Sequence, residues 1–193
     1  MPSLYSLGWN GEYEAEFTPF KALGWIPARV AVEHRRAYVL LTETGEREGA
    51  VPGKLRYEAD SAADLPAVGD WTAAEPVAGE RKAVIRRVLS RKTKFSRKTA
   101  GGLDTEQVIA ANIDRVFIVQ GLDGNFNPRR LERYLVMAWE SGASPVIILN
   151  KADLRQCPEN FSAIAEKIAP GVPVHAVSRS EEHTSELQSH HPI

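Results

Sequence analysis

The sequence predicts two folded parts, a small closed barrel of five β-strands and, after it, part of a parallel α/β sheet. Between residues 27 and 98, short β-prone runs alternate with turn residues, as in small all-β domains. Between residues 114 and 178, strand patterns alternate with helix patterns, which indicates parallel strands joined by right-handed crossovers. Ala100-Gly101-Gly102 is the best boundary between the two parts.

Composition places the chain among ordinary globular proteins. Its 193 residues are 43% hydrophobic and 25% charged with a net charge of −1, so overall charge indicates no class of partner. The single cysteine, Cys157, excludes an internal disulfide framework and a cysteine-rich zinc site within this chain. Neither a membrane-spanning apolar run nor a signal-peptide pattern is present, so we expect a cytoplasmic protein without a membrane partner.

Aromatic and acidic residues alternate near the N-terminus. We expect residues 1–24 to form an arm that contains a short amphipathic helix and packs on the next domain. A partly ordered arm is the alternative for the first few residues.

Residues 25–100 carry the five predicted strands. Glu43–Glu46 is expected to form a hairpin turn, and residues 54–64 an irregular connection. Five short strands in about seventy residues favour the oligonucleotide-binding (OB) barrel. The predicted strands are Ala28–Glu33, Ala37–Thr42, Gly49–Val51, a strand beginning at Trp71, and Lys82–Leu89.

The end of the predicted barrel is strongly basic. Nine lysines and arginines and no acid lie between Arg81 and Lys98, a pattern expected for contact with a phosphate backbone. The alternative is a solvated strand edge whose charges prevent aggregation. The candidate RNA-binding residues are Arg86, Arg87, Arg91, Lys92, Lys94, Arg97 and Lys98.

After a predicted linker at residues 101–113, residues 114–178 follow a β-α-β-α-β pattern. Asn127 and Pro128 have the residue types that begin a helix. His175 lies within an apolar strand, so we expect it to be a core residue rather than a ligand. The predicted elements are a strand at Asp114–Gln120, a helix from Asn127 to Gly142, a strand at Val146–Leu149, a helix at Glu159–Ala169 and a strand at Pro173–Ser178.

The run Asn150-Lys151-Ala152-Asp153 directly follows the buried strand Val146–Leu149. Open α/β sheets bind ligands at the carboxyl ends of their strands. An Asp carboxylate accepts two N–H bonds from the N1/N2 edge of guanine, whereas adenine offers no such pair of donors. The Asn amide suits guanine N7 and O6, and Lys methylenes suit the purine face. An ordinary polar turn is the alternative.

No phosphate-binding loop accompanies this segment. The pattern G-x-x-x-x-G-K-S/T is absent, because Gly53-Lys54 is followed by Leu55 and has Glu48 where the first glycine belongs. The chain therefore combines a base-recognition element with no phosphate-binding element.

This arrangement resembles the RsgA (YjeQ) family of small-ribosomal-subunit GTPases, in which the GTPase motifs are circularly permuted. The resemblance covers residues 7 to 178 almost continuously. It is carried by Leu7-Gly-Trp-Asn10, Pro27-Ala-Arg-Val30, Leu65-Pro-Ala-Val-Gly-Asp-Trp71, Val108-Ile-Ala-Ala-Asn-Ile-Asp114, Phe126-Asn-Pro-Arg129 and Leu149-Asn-Lys-Ala-Asp-Leu154.

The resemblance implies an OB barrel followed by the first part of a permuted P-loop-type GTPase domain. It implies that Asn150, Lys151 and Asp153 contact guanine. It also implies that Ala176, Val177 and Ser178 form the second base loop, with a backbone N–H near guanine O6. The intact family protein would hydrolyse GTP with Mg²⁺, carry Zn²⁺ in a C-terminal domain, and assist late maturation of the 30S subunit as a monomer whose barrel binds rRNA.

This chain departs from the family pattern at its C-terminus. Residues 179–189 resemble a translated sequencing adapter, so we expect a C-terminally truncated chain whose residues 179–193 are foreign to the fold. A genuine polar tail is the alternative. We also expect no catalytic residue and no metal site in this chain, and no GTP hydrolysis by it. One alternative is a stand-alone RNA-binding OB protein with a non-catalytic α/β domain. Another is an α/β half that binds a different nucleotide.

Overall fold

The computed structural model of the protein describes residues 3–35, 37–98 and 106–178, apart from the side chains of Glu58 and Lys98. The predicted boundary at residues 100–102 and the tail at residues 179–193 lie outside the described residues. The chain divides into two compact units, Met1–Ile113 and Asp114–Ile193. No helix of the described residues is long and apolar enough to cross a membrane.

The first unit contains the predicted closed barrel, so this part of the fold prediction is confirmed. Its strands lie in the order β1-β2-β3-β5-β4, and the barrel closes through an antiparallel β1–β4 pair. The β3–β5 pair is parallel, whereas the other neighbouring strands are antiparallel. The strands are β1 (Ile26–Glu33), β2 (Tyr38–Thr42), β3 (Gly45–Ala50), β4 (Trp71–Pro76) and β5 (Lys82–Val88).

Alternate residues of these strands fill the barrel interior, because successive strand side chains point to opposite faces. Leu40 and Ile85 are completely buried there, and each contributes about 1.5–3 kcal/mol through burial. Gly49 leaves room for Leu40, since a Cβ at Gly49 would come within 2.8 Å of the leucine side chain. The interior residues are Ala28, Val30, Tyr38, Leu40, Val51, Ala74, Ala83 and Ile85.

The helix expected near the N-terminus is present as α1 (Gly11–Lys21). The Asn10 side chain caps it by accepting from the backbone N–H groups of the first turn, at 3.0 and 3.3 Å. Its buried residues Tyr13 and Phe17 pack with Trp9 and Trp71, whose rings meet edge to face at 4.7 Å. The N-terminal segment is therefore part of the barrel unit and covers the outer face of β4.

Two segments of this unit differ from the sequence prediction. The connection expected to be irregular contains helix α2 (Gly53–Glu58) and a 3₁₀ turn at Ala62–Asp64. Part of the predicted linker is instead a strand, since β6 (Lys94–Lys98) pairs with β7 (Glu106–Ala111) in a separate antiparallel hairpin. β7 buries Val108 and Ala111, which do not alternate regularly because the β6–β7 register shifts between Phe95 and Ser96, so the strand was not recognisable from sequence periodicity.

Asn112 joins several segments of the barrel unit. Its Oδ1 accepts from the Tyr13 hydroxyl at 2.9 Å and from the Lys92 backbone N–H at 2.8 Å. Its Nδ2 donates to the carbonyl of Gly69 at 3.1 Å. Asn112 has a φ of 54°, in the left-handed region that Asn tolerates better than most residues. One side chain thus ties α1, the Gly69 turn and the β6–β7 hairpin together.

The second unit contains the predicted β-α-β-α-β segment with parallel strands in the order β10-β9-β8. As expected, Asn127 caps the first helix of this unit, accepting from the Arg130 N–H at 3.1 Å, and Pro128 opens it. The elements are β8 (Arg115–Gly121), α3 (Pro128–Glu140), β9 (Ser144–Asn150), α4 (Pro158–Ile168) and β10 (Val174–Val177).

Both helices pack on one face of this sheet, against the side chains of Ile118, Ile147 and Leu149. The opposite face, here called the open face, comprises the odd-numbered residues of β8 and β10. On it Phe117 is 64% exposed and Val119 56% exposed. His175 also lies there, next to Ile148 in register, and is exposed. The prediction that His175 is a core residue is therefore wrong, because no described helix covers its side of the sheet.

Candidate functional site

The carboxyl ends of the three parallel strands are aligned. Gly121, the last residue of β8, pairs in register with Asn150, the last residue of β9. Val177, the last residue of β10, pairs with Asn150 from the other side. The loops that follow these strands therefore meet at one edge, here called the carboxyl edge, where open α/β sheets bind ligands. The residues expected to contact guanine, 150–153 and 176–178, are brought together there.

Asn150 is held in a defined orientation. Its carbonyl oxygen accepts from the Leu122 backbone N–H at 2.8 Å, and its Oδ1 accepts from the Lys151 backbone N–H at 2.8 Å. Because a backbone N–H can only donate, the side-chain atom that it contacts must be the oxygen. The Nδ2 amide group is left to donate, and guanine N7 and O6 are both acceptors.

Lys151 adopts a left-handed backbone conformation, with φ 62° and ψ 41°. Non-glycine residues rarely occupy this region, and residues that do are concentrated at functional sites. Its ammonium group forms an ion pair with the carboxylate of Asp123, in the loop after β8. The hydrogen bond from Lys151 lowers the pKa of Asp123 below its ordinary value, so Asp123 is a carboxylate at neutral pH.

Asp153 lies in the short 3₁₀ turn Ala152–Leu154 and is exposed. Within the described residues, no hydrogen bond or ion pair engages its carboxylate, so both oxygens are available to two N–H donors of a ligand. Ala176 and Val177 are exposed, while Ser178 is almost completely buried. The carboxyl edge thus presents an acceptor pair at Asp153 and a donor at Asn150.

Two supporting residues were not singled out from the sequence. Asp123 follows the end of β8 in an Asp-Gly turn, and that position was the only signal available. Arg155 donates from Nε to the carbonyl of Leu122 at 2.5 Å and stacks over the Phe161 ring at 5.4 Å. It therefore connects the loop after β8 to the segment after β9.

The carboxyl edge does not fit a resident metal ion. Among the residues that the structure describes, no group of three or more His, Cys, Asp or Glu side chains is placed to hold one. Asp123 is already engaged by Lys151.

The basic stretch that begins at Arg81 is less positive in three dimensions than in sequence. Arg86 pairs with Glu75, with Nε 2.7 Å from Oε2, and Lys94 pairs with Glu106 at 2.8 Å. Lys92 pairs with a glutamate of α1 and its ammonium lies 5.3 Å from the centre of the Tyr13 ring. Carboxylates from distant segments therefore neutralise several of the expected RNA-binding cations.

Arg91 does not belong to an exposed basic surface. Its Nε and Nη2 donate to the carboxylate of Asp70 at 2.8 and 2.6 Å, and its remaining donors contact the carbonyls of Ala63 and Leu65. The Arg91 side chain is 15% exposed, and Asp70 is completely buried. This geometry disfavours the expected RNA contact of Arg91, which stays a prediction to be tested. Its guanidinium is used to neutralise a buried carboxylate.

Arg87 and Arg97 remain the most accessible candidates of the set. Arg87 is exposed, and within the described residues its guanidinium has no hydrogen-bond or ion-pair partner. Arg97 is exposed, and among the described residues its Nε donates to the neutral side chain of Gln107 at 3.1 Å. The side chain of Lys98 lies outside the described part of the chain.

Comparison with known proteins finds relatives over most of the chain. The family model "RsgA GTPase" matches residues 88–191. The small ribosomal subunit biogenesis GTPase RsgA of Opitutus terrae is 44% identical over 184 residues, which is 91% of this chain and 50% of the relative. RsgA of Syntrophotalea carbinolica is 40% identical over 199 residues, 97% of this chain and 53% of the relative. The chain spans about half the length of the curated relatives it matches.

Two solved structures share the fold. YjeQ from Thermotoga maritima superimposes with a TM-score of 0.62 at 21% identity, covering 80% of this chain and 52% of that structure. YloQ, described as a circularly permuted GTPase, gives a TM-score of 0.60 at 19% identity, covering 81% of this chain and 52% of that structure. At these identities the likeness shows the fold alone: a closed barrel followed by a parallel α/β sheet.

Proposed function

This chain belongs to the RsgA GTPase family, and from that premise we propose that it supplies the RNA-binding barrel and the guanine-recognition part of a small ribosomal subunit biogenesis GTPase. Its relatives carry that name. In this proposal the family protein binds and hydrolyses GTP with Mg²⁺, binds the 30S subunit and its rRNA, and acts as a monomer in the cytoplasm. We also propose that the family protein binds Zn²⁺ in a C-terminal domain.

The observation that carries the proposal is the arrangement of Asn150, Lys151 and Asp153 at the carboxyl edge. The unengaged carboxylate of Asp153 would accept from N1–H and the N2 amino group of guanine. The Nδ2 group of Asn150 would donate to N7 or O6, and the Lys151 methylenes would lie along the purine face. Backbone N–H groups of residues 176–178 would approach O6. Adenine lacks the N1–H and N2 donors, so the same site would disfavour it.

We propose that the chain recognises the base without hydrolysing the nucleotide. Its sequence contains no G-x-x-x-x-G-K-S/T loop to hold the phosphates. Phosphate contacts normally dominate the affinity for a nucleoside diphosphate, so we expect weak binding of GDP by this chain. Catalytic residues and the phosphate and metal sites are assigned to the remainder of the family protein.

For the barrel, we propose that Arg87 and Arg97 contact the phosphate backbone of rRNA, together with Lys98, the sequence neighbour of Arg97. Arg86, Lys92 and Lys94 would contribute by exchanging their carboxylate partners for phosphates. Breaking these ion pairs costs free energy, so each of the three would add less to the affinity for RNA. Arg91 is left out, because its donors are occupied around Asp70. Binding should weaken steeply as salt concentration rises.

The test of base recognition is replacement of Asp153 by asparagine. Wild-type chain, D153N and the control D114N, at the other end of β8, are titrated with GDP, XDP and ADP by heteronuclear NMR. We expect wild type and D114N to prefer GDP. We expect D153N to prefer XDP, because the asparagine amide can donate to the xanthine O2. Equal response to all three nucleotides in every variant would contradict guanine recognition.

A stand-alone RNA-binding protein remains the second candidate, and the basic residues of the barrel support it. The same preparation distinguishes the two functions. Salt-dependent RNA binding together with no discrimination between GDP and ADP would favour this second candidate. RNA binding together with a guanine preference that depends on Asp153 would favour the GTPase assignment.

A further inference from the structure

The loop that follows β8 contacts residues 150–155, which include the proposed guanine contacts Asn150, Lys151 and Asp153, at three points. The Leu122 N–H donates to the Asn150 carbonyl at 2.8 Å, and Arg155 donates to the Leu122 carbonyl at 2.5 Å. The third contact is the ion pair between Asp123 and Lys151. The first two contacts hold the backbone at Leu122 in place. The neighbouring Asp123 therefore extends towards Lys151 from an ordered backbone.

The local backbone also favours this contact. Gly121 precedes the loop, and a Cβ there would come within 2.8 Å of Asp123 Oδ1. The absence of that Cβ lets the Asp123 carboxylate fold back towards the end of β9. Gly124 has a φ of 100°, which turns the chain immediately after the aspartate. The sequence Gly-Leu-Asp-Gly at residues 121–124 thus fits a loop that directs one carboxylate to Lys151.

A lysine side chain on its own is flexible and loses much rotamer freedom when it is ordered against a ligand. In this chain both ends of Lys151 are held: its backbone N–H by Asn150 Oδ1 and its ammonium by Asp123. The methylenes between these two points are restricted before any base arrives. Such pre-ordering raises affinity by reducing the cost of binding.

We propose that Asp123 is a positioning residue for guanine recognition, acting through Lys151 rather than by touching the base. This inference rests on the proposed guanine-binding function. Exposed ion pairs contribute little to folding stability, so the effect of Asp123 should be seen in nucleotide binding and not in unfolding. A residue with a purely structural role would show the opposite pattern.

The test is a double-mutant cycle on the full 193-residue chain. D123N, K151M, the double variant and the control D114N are titrated with GDP by NMR, and each is unfolded in urea. We expect D123N to weaken GDP binding about three- to tenfold and to have no further effect in the K151M background. The urea midpoint should stay unchanged, and D123E should restore part of the affinity.

A second measurement separates the positioning role from base recognition itself. Relaxation of the Lys151 side-chain carbons, without nucleotide, should show greater mobility in D123N than in wild type. If wild type prefers GDP over ADP but D123N binds as D114N does, the positioning role fails and the guanine site stands. The positioning role is also overturned if D123N weakens GDP binding equally in the wild-type and K151M backgrounds. If wild type shows no preference for GDP, the proposed function fails and the positioning role fails with it.

Discussion

Replacement of Arg91 by methionine removes a guanidinium from a buried ion pair while keeping most of the apolar length of the side chain. The Asp70 carboxylate is completely buried and accepts from Arg91 at two positions and from the Ala67 N–H at 2.8 Å. In the R91M variant only the Ala67 contact remains. Removing one partner of a buried pair costs about 3–5 kcal/mol. Total stabilities are about 5–15 kcal/mol, so the expected loss is a large fraction.

The assay is urea unfolding followed by tryptophan fluorescence, since Trp9 and Trp71 are both buried in the barrel unit. The matched control is R87M, which alters an exposed arginine and should change the free energy of unfolding by no more than about 0.5 kcal/mol. The double variant D70N/R91M should recover part of the loss, because it no longer leaves a buried carboxylate without its countercharge.

RNA binding by the same variants completes the test. R87M should reduce the slope of log affinity against log salt by about one, whereas R91M, measured where it is folded, should leave that slope unchanged. The reasoning is refuted if R91M is as stable as R87M and loses the same RNA affinity. Arg91 would then be a phosphate ligand, as the sequence first indicated.

Three further predictions concern the two units separately. Asn112→Ala removes three side-chain hydrogen bonds and puts alanine at φ 54°, a conformation that Asn tolerates better. We expect the free energy of unfolding in urea to fall by about 2–4 kcal/mol, and N112D should lose less. Burial raises the pKa of Tyr13 and of Tyr38, which favours their neutral forms in the folded state. Their contribution to stability should therefore be complete below about pH 10 and should be lost as pH rises through the raised pKa values, as unfolding at alkaline pH would show. The double variant F117S/V119T should bind less of a hydrophobic dye and self-associate less as protein concentration rises, because Phe117 and Val119 are exposed on the open face. Gel filtration would measure the association. Unchanged association would show that the open face does not cause it.

Features set by local periodicity were predictable from the sequence. The short β-prone runs Ala28–Glu33 and Ala37–Thr42 predicted β1 and β2, because a strand pattern of two residues does not depend on distant partners. The buried run in β9 predicted a parallel strand, and its end predicted the position of Asn150 and Asp153 at the carboxyl edge. The cap at Asn127 was recognisable because a helix start needs only neighbouring residues.

Features set by contacts between distant residues were not predictable. The absence of acids between Arg81 and Lys98 suggested a free basic surface, but the partners of Lys92 and Lys94 come from other segments. Asp70 and Arg91 lie on different segments, and only the fold buries them together. His175 was misjudged because an apolar strand does not reveal which of its faces a helix will cover.

The closure of the barrel has a consequence for the order of folding. Arg29 of β1 pairs with Trp71 of β4, and Glu48 of β3 pairs with Lys82 of β5, so closure depends on contacts between residues far apart in sequence. Topologies rich in such contacts fold in about milliseconds to seconds. Chains are synthesised at about 5–20 residues per second, which allows a completed N-terminal domain time to fold before the following residues are made. The last barrel strand ends at Val88, before β8 begins at Arg115. At about this synthesis rate, the last barrel strand is made about a second or more before β8. The barrel can therefore begin to fold before the sheet that carries the carboxyl edge has been synthesised.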